Sequence, residues 1–264
     1  MDSGTKDPAL AALLAWYLEA GVDETVGEEP LDRYAEPPAE APALPVGPAA
    51  GPATRPSVAH RPPVAAAVAA AADAASLEEL REVLSRFDGC ALAKTATNLV
   101  FGDGSGEARV VLVGEAPGSE EDRRGLPFVG PSGQLLDRML ASIGLPRGDV
   151  FISNTVFWRP PGNRSPSSGE VAVCMPFLER IIELIDPLIL VALGGPAANA
   201  LLGRGESIGK LRGRWFTYQT PRLARPVATT ALFHPAYLLR TPGQKRLAWR
   251  DLLALRHKLD DLAG

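Results

Sequence analysis

The side chains in this sequence that could do chemistry stand at the ends of apolar runs. His234 closes the run Val227–Phe233 and precedes Pro235, whereas His60 lies in a proline-rich stretch and His257 in a terminal helical pattern. A histidine held at a strand end can exchange a proton or donate to a developing negative charge. Asn154 lies within the apolar run Val150–Trp158. Its amide offers a donor beside an acceptor, which suits reading the edge of a polar ring. Gly114-Glu115-Ala116-Pro117-Gly118 directly follows the run Ala108–Gly114. Such a turn lets backbone amides approach a ligand closely. It is not a phosphate-binding P-loop, since no Gly-Lys-Ser/Thr follows, and it is not a GxGxxG fingerprint. Phe128, in Pro127-Phe128-Val129-Gly130, has the exposed setting of a stacking platform.

The chain has two cysteines, Cys90 and Cys174. Two buried thiols in a reducing compartment are the plain expectation, with a disulfide or a metal as the alternatives.

The elements needed to position these groups are legible as alternating patterns. Ala108–Gly114, Val150–Trp158, Leu188–Leu193, Trp215–Gln219 and Val227–Phe233 read as strands. Gly133–Ile143, Glu170–Ile185, Pro196–Leu202 and Lys245–Leu262 read as helices, and Ser76 with Glu79 forms a capping-box pattern opening a helix through Phe87. This alternation predicts an α/β fold, a three-layer α/β/α sandwich with a mostly parallel central sheet. The site then belongs at the carboxyl ends of the strands.

Ahead of that domain the composition changes. Residues 8–21 carry Leu10, Leu13, Leu14, Tyr17 and Leu18 at helical spacing, and Gly21 can end the helix. Ten of the 25 prolines fall between Glu28 and Pro63, which predicts an extended, disordered segment. The alanine run 64–75 reads as partly helical. The organisation expected is an amphipathic helix in 1–27, a Pro/Ala-rich linker over 28–75 and a catalytic domain over 76–264. Residues 1–75 hold four basic and eleven acidic side chains, against 23 basic and 20 acidic in the remainder. The domain is therefore mildly basic, compatible with a polyanion but weak support for one. No apolar stretch approaches the ~20 residues of a membrane span. The start lacks the basic region of a secretory signal, so the cytosol is the expected location. A monomer is expected, and the N-terminal helix is a candidate for docking a partner protein.

Three longer runs carry a resemblance. GEAPGSEED with GLPFVG and GQLLD, then NTVFWRPPGNRSP, then HPAYLLR, in this order, resemble the signature of type-4 uracil-DNA glycosylases across about residues 80–260. The resemblance implies the uracil-DNA glycosylase-like fold and the excision of uracil from DNA. It implies that Phe128 stacks on the flipped base, that Asn154 reads its edge and that His234 contacts the departing uracil O2. It implies that Leu238 wedges into the gap left in the duplex, and that Gly114 and Ala116 line the base site. Ala116 stands where the best-studied branch of the superfamily has a water-positioning Asp. For the water, Glu115 ranks first, Glu121 second and Asn163 third. Arg240 and Lys245 are candidates for phosphate contacts.

The sequence departs from this family in one respect. Type-4 enzymes hold a four-iron, four-sulfur cluster on four cysteines. Cys90 matches the second ligand position and Cys174 the fourth, but the first falls on Phe87 and the third on Trp158. Two thiolates cannot close such a cluster, and two large rings would fill its volume instead. No cluster and no other cofactor is expected.

The expected function is hydrolysis of the N-glycosidic bond of flipped-out deoxyuridine in DNA, leaving an abasic site for base excision repair. The alternatives are altered base specificity, which Asn154 argues against, and a non-catalytic DNA-binding protein, which the joint presence of Glu115, Phe128, Asn154, Asn163 and His234 argues against. A covalent uracil-trapping relative carries a basic, His-bearing loop after the second strand, and Pro160–Pro166 reads PPGNRSP instead.

Overall fold

A computed structural model describes residues 63–263. The helix expected over 8–21 and the proline-rich stretch as far as Pro62 lie outside the described residues. The first described elements are two helices, α1 (Pro63–Ala72) and α2 (Leu77–Ser85). There follow β1 (Asp103–Gly104), β2 (Val110–Gly114), α3 (Ser119–Arg124), α4 (Pro131–Ala141), β3 (Phe151–Asn154) and α5 (Ser168–Ile185). The chain continues through β4 (Ile189–Leu193), α6 (Gly195–Leu202), α7 (Ile208–Leu211), β5 (Trp215–Tyr218), β6 (Val227–Leu232), α8 (Pro235–Arg240) and α9 (Lys245–Ala263).

The six strands form one sheet in the order β1-β3-β2-β4-β6-β5. The four inner strands are parallel, and β1 and β5 are antiparallel edges. Continuous apolar runs such as Val110–Val113 arise because a parallel sheet is covered on both faces. Alternate residues serve alternate faces. Val110 and Leu112 pack with Leu136, Leu140, Leu252 and Leu255 of α4 and α9, while Val111 and Val113 pack with Phe177, Leu178 and Ile181 of α5. The three-layer sandwich is thus present.

Helix boundaries follow local chemistry. Ser76 accepts from the Glu79 amide at 3.1 Å, and Ser167 with Glu170 caps α5. Helix α5 ends at Asp186 in left-handed conformation, one residue before Pro187.

Two expectations change. Helix α1 lies inside the stretch expected as linker, but it packs on α5, with Ala67 and Ala71 buried four residues apart on one face. Arg180 donates to the Ala74 carbonyl and Arg222 to that of Ala72, so ordered structure begins ahead of residue 76. Alanine is small enough for close helix packing, and a composition-based reading misses that use. The third strand is also shorter than Val150–Trp158. Beyond Asn154 the chain leaves the sheet, its Thr155 hydroxyl donating to the Glu115 carbonyl at 2.7 Å.

Candidate active site

The segments at the carboxyl ends of β2, β3 and β6 meet at a cleft of about 160 Å³, lined by Ala116, Glu121, Phe128, Ser132, Asn154 and His234 among others. Gly114 ends β2 and Asn154 ends β3 beside it in register. His234 caps α8 just after β6. Gly114 has to be glycine here. A Cβ at that position would overlap the Asn154 side chain and meet the Phe128 ring at 2.7 Å.

Asn154 is 1% exposed, and its Nδ2 has no hydrogen-bond partner among the described residues. An unmet buried donor costs about 1–3 kcal/mol, so its retention calls for a partner supplied from the cleft. The Phe128 ring lies against the His234 ring, with centroids 5.5 Å apart.

His234 accepts the Ala236 amide at Nδ1, at 3.1 Å. In the neutral ring the proton is therefore on Nε2. Burial, with a smaller contribution from the Arg240 charge, pushes the imidazole pKa down to about 4, against an opposing pull from Glu121. At neutral pH this is a neutral ring with one N–H to offer.

The turn carrying Phe128 is held from both sides. Glu121 accepts the Gly118 amide at 3.1 Å and the Val129 and Gly130 amides at 3.0 Å each. This carboxylate is committed to loop structure, which argues against Glu121 as the group that activates water. The carbonyls of Pro127 and Phe128 are held by Arg147, a residue that lies in no sequence motif.

Glu115 and Asn163 lie in an adjoining cavity, whose wall also includes Gly194, His234 and Arg240. The Glu115 carboxylate makes no hydrogen bond among the described residues, and Asn163 accepts from Arg159 at 2.7 Å. Glu115 is accordingly the freer of the three polar groups. Gly194, at φ +96°, was not foreseen; a Cβ there would meet the His234 Cβ at 3.2 Å.

Leu238 does not stand where a wedge should. It is 1% exposed and packed in the apolar core with α4 and α9, whereas its neighbour Leu239 is 40% exposed. On a helix adjacent residues point about 100° apart, so the short helix α8 buries one leucine and presents the next.

The four positions that the resemblance assigns to a cluster hold two thiols and two rings. The Cys174 thiol donates to the Cys90 sulfur at 3.9 Å, and both are buried. That contact holds Cys90 down to about 7, while the same contact and burial raise Cys174. At the other two positions Phe87 packs edge-on to Phe177 at 5.0 Å, and Trp158 edge-on to Phe157 at 6.4 Å. Among the described residues no group of three or more His, Cys, Asp or Glu side chains is placed to hold a metal. These residues do not fit a four-thiolate cluster.

Comparison with known proteins gives the family. The family profile of the Uracil DNA glycosylase superfamily matches residues 101–253. The chain belongs to that superfamily. It is similar to the type-4 uracil-DNA glycosylase of Pyrobaculum aerophilum, at 41% identity over 67% of this chain and 91% of that protein. The type-4 uracil-DNA glycosylases of Archaeoglobus fulgidus and Thermotoga maritima are each 43% identical, over 63% and 66% of this chain and 85% and 92% of their own lengths. No helix among the described residues is long and apolar enough to cross a membrane.

Proposed function

We propose that the chain is a uracil-DNA glycosylase, hydrolysing the bond between C1′ and N1 of deoxyuridine flipped out of DNA. The observation that carries this reading is the buried, unpartnered Asn154 Nδ2 in a cleft walled by Phe128 and a neutral His234. Uracil stacks on Phe128. The Asn154 amide donates to O4 and accepts from N3–H, a pairing that cytosine does not match.

As the C1′–N1 bond breaks, its electron pair passes to the base, and negative charge develops at O2. The Nε2–H of His234 donates to that oxygen, and a neutral donor fixed beforehand needs no reorganisation at the moment of reaction. The sugar passes through an oxocarbenium-like state. Glu115 orients a water onto C1′ and stabilises the cationic sugar. The water oxygen bonds to C1′ and releases one proton to solvent, and the uracil anion takes up one proton from solvent. Glu121 acts on the Phe128 turn and not on the water. Leu239 is the side chain presented to enter the duplex when the base leaves it. No step involves iron, and we infer that the chain carries no cluster.

Purified protein incubated with a uracil-containing oligonucleotide, followed by alkali, should cleave the strand at uracil and leave a thymine control whole. A folded protein that binds the DNA without cleavage would favour the non-catalytic reading.

A further inference from the structure

Arg147 lies in the connection between α4 and β3, outside every sequence motif, yet its guanidinium gathers four acceptors. Nε donates to Asp103 at 2.6 Å, and Nη2 to the Pro127 carbonyl at 2.6 Å. Nη1 donates to the Phe128 carbonyl at 3.1 Å and to Asp137 at 3.0 Å. The two carboxylates come from β1 and α4, and they fix the fork so that its remaining donors meet two successive carbonyls of one turn.

That turn is strained. Phe128 has φ +51°, a left-handed conformation that an aromatic residue adopts only when its surroundings impose it. Its carbonyl is directed at Arg147 and over Gly133, where any Cβ would overlap it. On the other side Glu121 takes the next two amides, Val129 and Gly130. A cation on two carbonyls and an anion on two amides thus hold four consecutive residues, and the Phe128 ring is aimed into the cleft.

We propose that Arg147 is a positioning residue for base excision, holding the Pro127–Phe128 carbonyls so that the Phe128 ring stays in place as the platform for the base. This rests on the reading of Phe128 as that platform. An ion pair serving stability alone would not need the two carbonyl bonds, and the partly exposed charges of Arg147, Asp103 and Asp137 would give little by themselves.

The test is a double-mutant cycle of Arg147→Met and Phe128→Ala, read as the single-turnover rate of uracil release at saturating enzyme. Arg147→Met should slow release by about 10–100-fold, the scale set by a misplaced reacting group. The reaction amplitude, and DNA affinity measured by fluorescence anisotropy, should stay near wild type. In the Phe128→Ala background the same change should slow release by less than about threefold, because residues acting as a unit are not additive. Arg147→Lys keeps the charge but cannot reach four acceptors; it should also lose rate, and it replaces the Met variant if that fails to fold. An equal fold-loss in both backgrounds, or a loss of amplitude with an unchanged rate constant, would overturn the proposal. An inactive wild type would bring down the reading of the site itself, and this inference with it.

Discussion

Phe128 and His234, from distant parts of the sequence, bring their rings to 5.5 Å across the cleft. One ring offers a face and the other a single N–H. Asn154, at the floor beside Gly114, adds a donor that no described residue satisfies. A planar base with a carbonyl at each end of its polar edge would complete all three.

Asn154→Asp tests the base-reading amide. The carboxylate cannot donate to O4 and places negative charge beside the leaving anion. Transition-state stabilisation should fall by about 2–4 kcal/mol, the scale of a lost oxyanion donor. The fold should persist by circular dichroism, with some loss of stability from the buried carboxylate, and single-turnover kinetics measure the loss of rate. Wild-type rates from this variant would remove Asn154 from the mechanism.

His234 sets a pH dependence whose sign can be worked out. Its pKa is about 4 in the fold against 6.5 ordinarily, so the unfolded chain binds this proton first as pH falls. The corresponding stability is complete above about pH 6.5 and is lost between there and pH 4, for a total of roughly 3 kcal/mol. Imidazole NMR signals assigned by comparison with His234→Gln should show the ring neutral at pH 6 and titrating near 4. A midpoint near 6.5 would mean that the ring is not desolvated as described.

Around Cys90 and Cys174 the packing predicts stabilisation by aromatic side chains. Trp158 is 5% exposed, and Trp158→Ala should cost about 3–5 kcal/mol. Phe87 is only half-buried, so Phe87→Ala should cost less, about 2 kcal/mol. Cys90→Ser and Cys174→Ser should cost less again and keep uracil release. Anaerobically purified protein should be colourless near 400 nm, the absorbance region of iron–sulfur clusters. Stoichiometric iron and sulfide would contradict the assignment.

The two leucines of α8 should separate cleanly. Leu238→Ala opens a cavity in the core and should cost about 2–5 kcal/mol of stability. Leu239→Ala should leave stability near wild type but slow excision from duplex DNA more than from single strands, where no gap needs filling. Equal slowing on both substrates would count against Leu239 as the wedge.

Much of this molecule was readable from its residues. Apolar runs such as Val110–Val113 and Ile189–Leu193 announce buried strands, and Gly114, Asn154 and His234 stand where those strands end. What escaped depends on long-range geometry. Arg147 has partners 44 and 20 positions away in Asp103 and Pro127, and no local pattern marks it. The role of Glu121 is set by amides folded back onto it, and a motif position cannot distinguish that from water activation. Leu238 was misplaced because its offset from His234 says nothing about which face of a one-turn helix meets the core. The alanine run of α1 reads as partly helical, but nothing local marks its packing on α5.

The most direct measurement of the central claim is recovery of the base itself. Protein incubated with duplex DNA carrying one uracil opposite guanine should release free uracil, identified by mass spectrometry, together with an abasic strand free of protein. The matched thymine substrate should release nothing. Intact uracil-containing DNA after incubation with folded, DNA-bound protein would contradict the account, as would a strand joined covalently to the protein.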